Sequence, residues 1–209
     1  LNRLENILIF DLDGTLLDSK TGILSSLEYA LRGNAPEFLP YLDQSIIGPP
    51  IKKILEGFVT NPQVVSMLSK EFRSHYDSYG YLETRLFKGV LDGLKKISKL
   101  PLYVSTNKPE KVTSKVLSKL EIDFFFNEVV SIDSHSYASK SDIVRIIKNK
   151  TNSKKIVVIG DSLDDYYSAI DNDCDFIFCS YGYGSYPDNT PDVKSVASPL
   201  ELFNFLGKY

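Results

Sequence analysis

A chain of 209 residues can bury one substantial hydrophobic core and leaves room for a smaller partner domain. Hydrophobic residues make up 43% and charged residues 24%, as in an ordinary soluble globular protein. The formal net charge of −3 argues against a nucleic-acid partner, because such binders usually carry a basic excess. No apolar run approaches the ~20 residues of a membrane-spanning helix, so we expect no membrane partner.

The first apolar stretch of the chain ends in two closely spaced carboxylates. Ile7–Phe10 predicts a short buried strand, which Asp11 and Asp13 follow directly. Because residues i and i+2 of an extended chain point to the same side, the two carboxylates should lie side by side. They would repel each other unless a cation neutralised them. A single aspartate would suit a helix N-cap, but this costly pair, followed by the permissive Gly14, predicts a functional site.

Residues 11–19, with the sequence DLDGTLLDS, resemble the first motif of the haloacid dehalogenase superfamily. Most members of that superfamily are phosphatases. The resemblance implies that Asp11 is the nucleophile that attacks phosphorus and that Asp13 is the general acid and base. It also implies a bound magnesium ion, with both aspartates among its ligands.

Residues 16–84 predict a helical insertion rather than further strands. Turn-forming residues interrupt this stretch at three places, residues 33–36, 48–50 and 61–62. Asn61 is expected to cap, and Pro62 to open, a helix that runs to about Tyr79. The alternation of strands and helices should therefore resume only after this insertion.

An insertion at this point forms a helical cap domain over the site in the family that the first motif resembles. On that basis, residues 1–15 and 85–209 form the catalytic core and residues 16–84 form the cap. The loop around residues 48–52 resembles the cap loop of the family, although it also suits an ordinary turn before a helix. We expect Lys52 to contact the leaving group, because a cation there would complement a carboxylate or a second phosphate.

The rest of the chain alternates predicted strands with predicted helices. Further strand candidates lie at residues 102–104, within 124–130, at 156–159 and at 176–178. Apolar residues at helical spacing predict helices at residues 90–100, 110–120, 140–150 and 164–172. The pattern predicts an α/β fold with a parallel sheet that helices cover on both faces. Together with the resemblance, it implies a Rossmann-like parallel sheet core with helices on both faces, plus a small helical cap domain inserted after the first strand. Such sheets place their sites at the carboxyl ends of the strands.

The second predicted strand ends in a hydroxyl group. Thr106 could donate a hydrogen bond to a phosphoryl oxygen, and the same residues could also begin the next helix. The sequence TNKP at residues 106–109 resembles the second family motif in the form typical of the phosphoglycolate phosphatase-like branch. The resemblance implies that Thr106 binds the transferring phosphate, with Asn107 also at the substrate.

The strongest strand candidate, at residues 156–159, leads into an acidic cluster. Asp161, Asp164 and Asp165 place three carboxylates within five residues, which is more than one helix start needs. The spacing of Asp161 and Asp165 matches the fourth family motif. The match implies that Asp161 ligates magnesium and that Asp165 orients the metal shell from outside. Asp164 is extra to the motif, and we expect it to face solvent.

A cationic residue should complete this set. Lys140 lies at a predicted helix start, where the third family motif belongs, although this chain has Ser-Lys-Ser in place of the frequent Gly-Lys-Pro. The resemblance implies that Lys140 binds the phosphate, and Lys108 is the alternative lysine.

The cysteines and histidines of the chain are expected to be structural. Cys174 and Cys179 lie an odd number of residues apart in a predicted strand, so they should occupy opposite faces and remain buried free thiols. Free thiols fit a reducing cytoplasm. His75 and His135 have no second histidine at ligand spacing, so we expect surface or hydrogen-bonded roles.

Carboxylates, a hydroxyl and a lysine at consecutive strand ends suit metal-assisted phosphoryl transfer. The chain offers no Ser–His pair and no phosphate-binding glycine-rich loop. The resemblance implies magnesium-dependent hydrolysis of a small, phosphoglycolate-like monoester through an aspartyl-phosphate, by a monomer or homodimer. The alternatives within the superfamily are a sugar-phosphate mutase, a pyrophosphatase and a nucleotidase. A non-catalytic phospho-acceptor or binding module is the alternative from a different class.

Overall fold

The computed structural model describes residues 6–134, 139–151, 155–184 and 193–209. The strands of the described residues, in chain order, are β1 (Ile7–Phe10), β2 (Leu17–Asp18), β3 (Arg85–Leu86), β4 (Leu102–Thr106), β5 (Glu128–Ser131), β6 (Ile156–Gly160), β7 (Asp175–Cys179) and β8 (Lys194–Val196). The α-helices are α1 (Lys20–Arg32), α2 (Ile51–Glu56), α3 (Pro62–Ser78), α4 (Val90–Lys96), α5 (Glu110–Lys119), α6 (Lys140–Thr151), α7 (Leu163–Ile170) and α8 (Pro199–Leu206). Among these residues, no helix has both the length and the apolar character needed to span a bilayer.

Six strands form one parallel sheet in the order β5-β4-β1-β6-β7-β8. The central strand β1 pairs with β4 on one side and with β6 on the other, with Phe10 opposite Val104 and Ile159. All five predicted strands are present, and β8 is an additional short edge strand that the sequence analysis did not predict. The predicted α/β fold with a parallel sheet is confirmed.

The side chains on the two faces of the sheet pack into two separate hydrophobic clusters. Leu8 and Phe10 pack into the larger cluster, whereas Ile7 and Ile9 pack into the smaller one, as the period of two in a strand requires. Helices α6 and α7 cover the smaller cluster, and α4, α5 and α8 contribute to the larger one. Helices therefore lie on both faces, as predicted, and they leave the carboxyl ends of the strands as the place for polar groups.

The cysteines follow the same division between faces. Cys174 belongs to the smaller cluster and Cys179 to the larger one, and both are buried free thiols, which confirms the prediction. Burial raises the pKa of the Cys179 thiol, which keeps the thiol protonated. His75 contacts the Ser26 hydroxyl at 3.0 Å and stacks on Tyr29. His135 lies outside the described residues.

The helical insertion leaves and rejoins the sheet through two paired short strands. Leu17 and Asp18 of β2 pair antiparallel with Leu86 and Arg85 of β3, so both ends of the insertion lie together. Between them stand α1, α2, α3 and short 3₁₀ turns at Pro36–Tyr41, Gln44–Ile46 and Gly80–Glu83. The insertion packs into the larger hydrophobic cluster together with β1 and β4.

Helix α3 begins as predicted from its sequence. The Asn61 side chain accepts hydrogen bonds from the backbone N–H groups of Gln63, at 2.9 Å, and Val64. Pro62 occupies the first helical position, where its missing N–H costs nothing. Helix α3 ends at Ser78, one residue before the predicted end.

Candidate active site

Three neighbouring strands bring the predicted site residues together at one edge of the sheet. Asp11 follows β1, Thr106 ends β4 and Asp161 follows β6, and these strands are adjacent in the sheet. Because the strands run parallel, their carboxyl ends meet at the same edge. All three side chains are buried.

Lys140 lies between two of the carboxylates. Its Nζ is 2.5 Å from Asp11 Oδ1 and 2.6 Å from Asp165 Oδ1. Helix α6 begins at Lys140, so the helix start directs this side chain toward the end of β1. Of the two candidate lysines, Lys140 is therefore the one that contacts Asp11.

The protonation of this cluster reflects burial and crowding. Burial raises the pKa of Asp11, and the nearby Asp165 and Asp161 carboxylates raise it further, against the opposing charge of Lys140. Burial disfavours the charged form of Lys140, but its two carboxylate partners prevail and raise its pKa above the usual value. The arrangement concentrates negative charge around a single ammonium group.

Asp161 is held by a loop that the sequence analysis did not assign to the site. Its Oδ2 accepts hydrogen bonds from the backbone N–H groups of Tyr183, at 2.7 Å, and Gly184, at 3.2 Å. Gly182 allows this loop to approach, because an added Cβ would lie 2.3 Å from the Cβ of Asp161. Burial and the neighbouring Asp165 carboxylate raise the pKa of Asp161 to about 6.

Asp165 forms a capping box at the start of α7. Its Oδ2 accepts hydrogen bonds from the backbone N–H of Ser162, at 3.1 Å, and from the Ser162 hydroxyl, at 2.6 Å. Its other oxygen accepts from Lys140. Both oxygens therefore have partners, so the side chain fixes the positions of its neighbours.

The acidic cluster has the donor chemistry of a site for a hard divalent cation. Oxygen atoms of Asp11, Asp161 and Asp165 lie within 4.8 Å of one another, and all three residues are buried. Carboxylate oxygens without sulfur or paired imidazole ligands favour a hard divalent cation. Gly14, with φ of +87°, makes room at this cluster, since a Cβ there would lie 2.1 Å from Asp161 Oδ2. The residues present fit a bound divalent cation.

Asp13 has different surroundings from Asp11. Its Oδ2 lies 3.0 Å from the Nζ of the buried Lys108, which also donates to the hydroxyl of Tyr76 at 2.9 Å. Its Oδ1 is buried and has no hydrogen-bond partner among the described residues. Burial opposes the charge on Lys108, but Asp13 and Tyr76 raise its pKa above the usual value. Asp13 thus keeps one free acceptor in the site.

Thr106 and Asn107 follow β4 at the same edge. The Thr106 hydroxyl accepts a hydrogen bond from the backbone N–H of Lys108 at 3.1 Å, which leaves its own O–H available as a donor. The Asn107 amide donates to Asp164 at 3.2 Å and to the Gly48 carbonyl at 3.4 Å. Asp164, which was expected to face solvent, is half-buried and has this partner at the site.

A cavity of about 190 Å³ lies between the sheet edge and the insertion, next to Asp13. Its walls are mostly apolar, and its polar lining comes from a few side chains that include Asp13, Asn107 and Lys108. Lys52 is not among the lining residues. The structure instead leaves the Lys52 side chain 71% exposed and paired with Glu56 on the same helix.

The sequence of this chain matches a known protein family that agrees with the parallel α/β sheet and the residues at its strand ends. The profile of the haloacid dehalogenase-like hydrolases matches residues 8–179, and the chain belongs to this family. The match spans β1, the helical insertion and the sheet as far as the end of β7. The resemblance carried by the first motif is confirmed.

The names of individual relatives describe different activities. Tyrosine-protein kinase PtkA of Mycobacterium tuberculosis is 28% identical over 184 residues, which cover 85% of this chain but only 63% of that protein. Phosphoglycolate phosphatase of Agrobacterium fabrum is 26% identical over 205 residues and is matched over 91% of this chain and 88% of its own length. A haloacid dehalogenase-like hydrolase of Streptococcus pneumoniae superposes with a TM-score of 0.85 at 25% identity, over 97% and 99% of the two chains.

Proposed function

We propose that this protein is a magnesium-dependent phosphatase that forms an aspartyl-phosphate on Asp11. The observation that carries the proposal is the paired arrangement of Asp11 and Asp13. Asp11 is buried beside Lys140, whereas Asp13 lines the cavity and keeps one buried oxygen without a partner among the described residues. In this proposal Asp11 attacks phosphorus and Asp13 exchanges a proton with the leaving group, and the different surroundings of the two carboxylates support this division.

The reaction has two steps in this proposal. Asp11 attacks the phosphorus in line while Asp13 gives its proton to the departing alkoxide. Asp13 then takes a proton from a water molecule, which attacks phosphorus, releases phosphate and restores the Asp11 carboxylate. Each step thus returns Asp13 to the protonation state that the next step needs.

The other residues hold the phosphoryl group and its charge. The Thr106 O–H would donate to a phosphoryl oxygen, and Lys140 would orient Asp11 and offset negative charge. Magnesium would be held by Asp11, Asp161 and the backbone carbonyl of Asp13, with Asp165 orienting the set from outside. When bound, the ion would neutralise charge on the transferring phosphoryl group.

The insertion would act as a cap over this chemistry. We propose residues 16–84 as the cap and residues 1–15 and 85–209 as the core, with hinges near 16–19 and 84–89. The pairing of β2 with β3 supports this division, since it brings both connections together at one point. Closure would exclude water from the phosphoryl site.

The cavity points to a small phosphorylated metabolite as the substrate. Its volume of about 190 Å³ suits a leaving group of modest size, and its walls are mostly apolar. A phosphoglycolate-like monoester is our first candidate, because a full-length relative carries the name phosphoglycolate phosphatase. A nucleoside monophosphate, a sugar phosphate and pyrophosphate are the competing candidates.

A panel of phosphate esters tests the proposed activity. Purified protein is incubated with phosphoglycolate, nucleoside monophosphates, sugar phosphates, pyrophosphate and p-nitrophenyl phosphate, with magnesium or with excess chelator. We expect phosphate release only with magnesium, and a higher kcat/KM for one class of small monoester. Release that is unchanged by chelator would contradict the metal requirement, and transfer of phosphate to a sugar without release would identify a mutase.

Protein tyrosine phosphorylation is a second candidate, favoured only by the similarity to PtkA. Incubation with ATP labelled at the γ-phosphate distinguishes the two functions. Label recovered on tyrosine of this chain or of an added protein would support a kinase. No label on tyrosine, together with phosphate release from a monoester of the panel, would support the phosphatase.

A further inference from the structure

Lys108 is a buried lysine that connects the core of the protein to the helical insertion. Its side chain is only 4% exposed. The Nζ atom lies 3.0 Å from Asp13 Oδ2 and 2.9 Å from the Tyr76 hydroxyl, and it stands over the Tyr76 ring at 4.6 Å. Tyr76 belongs to α3 of the insertion and is itself 3% exposed.

The partners of Lys108 leave it little freedom. A buried ammonium group is stable only when it is paired and hydrogen-bonded, and here one carboxylate and one hydroxyl serve as acceptors. The Lys108 backbone is fixed as well, because its N–H donates to Thr106 and its carbonyl accepts from the Thr113 hydroxyl. The side chain is thus a rigid link from the end of β4 to Asp13.

Tyr76 extends this link to the connection between insertion and core. Its hydroxyl lies 3.4 Å from Thr84 Oγ1, one residue before β3, and Thr84 is fully buried. The contacts run from Asp13 through Lys108 and Tyr76 to Thr84. A movement of α3 would therefore shift the group that holds one oxygen of Asp13.

We propose that Lys108 is a positioning residue for Asp13, and that Tyr76 makes this positioning depend on the placement of the insertion. This inference deepens the proposed phosphatase function and rests on it. Lys108 holds Oδ2 of Asp13, and the buried Oδ1 has no partner among the described residues, so Oδ1 is the oxygen that remains for proton exchange with the leaving group in this proposal. Without Lys108, the carboxylate would lose the contact that selects this orientation.

Lys108→Met and Tyr76→Phe test the proposal. If Lys108 and Tyr76 position Asp13, the loss of kcat in each variant should depend on whether the leaving group needs a proton. Methionine keeps the apolar stem of the lysine, and phenylalanine keeps the ring while removing the hydroxyl. Nitrophenolate departs without help from an acid, whereas an alkoxide needs a proton from Asp13. The substrates are p-nitrophenyl phosphate and the alkyl phosphate that the wild type hydrolyses fastest.

We expect Lys108→Met to lower kcat about a hundredfold on the alkyl phosphate and less than about tenfold on p-nitrophenyl phosphate, with little change in KM. Tyr76→Phe should give a smaller loss with the same preference, and Lys108→Arg should recover part of the activity. Lys115→Met is the matched control: Lys115 also joins the core to the insertion, over the Tyr81 ring at 5.1 Å and to the Asp77 carbonyl at 3.0 Å, but does not contact Asp13. It should leave both rates near those of the wild type.

Crystal structures of the wild type and of Lys108→Met provide a readout that does not require turnover. A changed Asp13 side-chain rotamer in the variant, with an unchanged backbone, would support the proposal. An unchanged rotamer, or equal losses of kcat on both substrates, would overturn it. If the wild type hydrolyses no ester, the proposed function fails, while the Asp13 rotamer still decides whether Lys108 positions that side chain.

Discussion

Asp11 and Asp13 are two residues apart, yet they belong to two different regions of the molecule. Among the described residues, the charged groups around Asp11 come from the core, with Lys140 from the start of α6, Asp165 from α7 and Asp161 from the end of β6. Asp13 lies at the cavity, and its ion pair with Lys108 continues to Tyr76 of the insertion. A single strand end thus supplies one carboxylate to the core and one to the boundary with the insertion.

The two proposed chemical tasks therefore depend on different parts of the fold. The ion-pair partner and the neighbouring carboxylates recorded for Asp11 among the described residues all come from the core, so we expect a change in the insertion to leave the proposed nucleophile in place. The surroundings of Asp13 include α3, so the proposed acid and base responds to whatever moves α3. We therefore expect substitutions near Asp11 to affect every substrate and those near Asp13 to affect substrates unequally.

Asp11→Asn should have the largest effect. An amide cannot form the aspartyl-phosphate, so kcat should fall more than about a thousandfold on every substrate, with the fold retained. Steady-state kinetics and thermal unfolding measure the two effects. Asp92→Asn, at an exposed position of α4, is the control and should be silent. Full turnover by an Asp11→Asn protein shown by mass spectrometry to be free of deamidation would rule out the aspartyl-phosphate.

Asp13→Asn should differ from Asp11→Asn in that its loss of kcat depends on the leaving group. The variant cannot protonate an alkoxide, so kcat on an alkyl phosphate should fall about a hundredfold or more. The loss on p-nitrophenyl phosphate should be smaller, because that leaving group departs without a proton. Parallel losses on both esters would mean that Asp13 acts like Asp11, and the contrast between the two regions would then be invalid.

Asp165→Ala should act on stability as well as on the site. The substitution removes one carboxylate partner of Lys140 and the capping box of α7, so the free energy of unfolding should fall by about 3 kcal/mol. Asp164→Ala is the control from the same helical turn, and it should cost about 1 kcal/mol or less. Urea denaturation compares the two variants. A similar loss in the free energy of unfolding for both variants would show that the contact with Lys140 contributes little to stability.

The positions of the polar groups at the strand ends could be predicted from the sequence, because they follow from the local pattern of residues. A strand followed by carboxylates places them at one edge whatever the rest of the chain does, as Asp11 and Asp161 illustrate. The loop that holds Asp161 was missed, since Tyr183 is distant in sequence and donates through its backbone. The spacing of Gly182 and Gly184 was the available signal, because glycines permit such close approach. Strand β8 was missed because it is short and only Val196 is buried.

The direction of side chains on the insertion could not be predicted from motif similarity. The loop at residues 48–50 lines the cavity. Successive residues of a helix point about 100° apart, so Ile51 and Ile54 can face the cavity while Lys52 faces solvent. The choice between Lys108 and Lys140 likewise depended on contacts between distant segments.

Magnesium should stabilise the protein more at pH 7.5 than at pH 5. The folded-state pKa of Asp161, about 6, is above the unfolded value of about 3.9, so the metal-free protein gains stability from this group below about pH 4 and loses it as the pH rises through 6. Magnesium needs the ionised carboxylate. At a tenfold excess over its Kd at pH 7.5, it should add about 1.4 kcal/mol, or about 3–6 °C in Tm.

The increase in Tm with magnesium should shrink at pH 5, where Asp161 is mostly protonated. Differential scanning calorimetry at both pH values, with magnesium and with chelator, measures the change. Asp161→Asn is the matched variant and should show little increase at either pH. An equal increase in the wild type at both pH values would remove Asp161 from the set of ligands.

Lys52→Ala should have the smallest effect on kcat and KM. It tests whether an exposed residue of the insertion is unimportant for substrate binding, in contrast to a residue that lines the cavity. The side chain is 71% exposed, and its i,i+4 ion pair with Glu56 contributes only about 0.3–0.5 kcal/mol. We therefore expect kcat and KM to remain within about twofold of the wild type on p-nitrophenyl phosphate and on the preferred alkyl phosphate. Ile54→Ala, on the same helix but facing the cavity, is the contrasting variant and should raise KM for the alkyl phosphate. A raised KM in Lys52→Ala for an anionic substrate alone would show that this lysine turns inward when substrate binds, and the outer surface of α2 would then belong to the binding site.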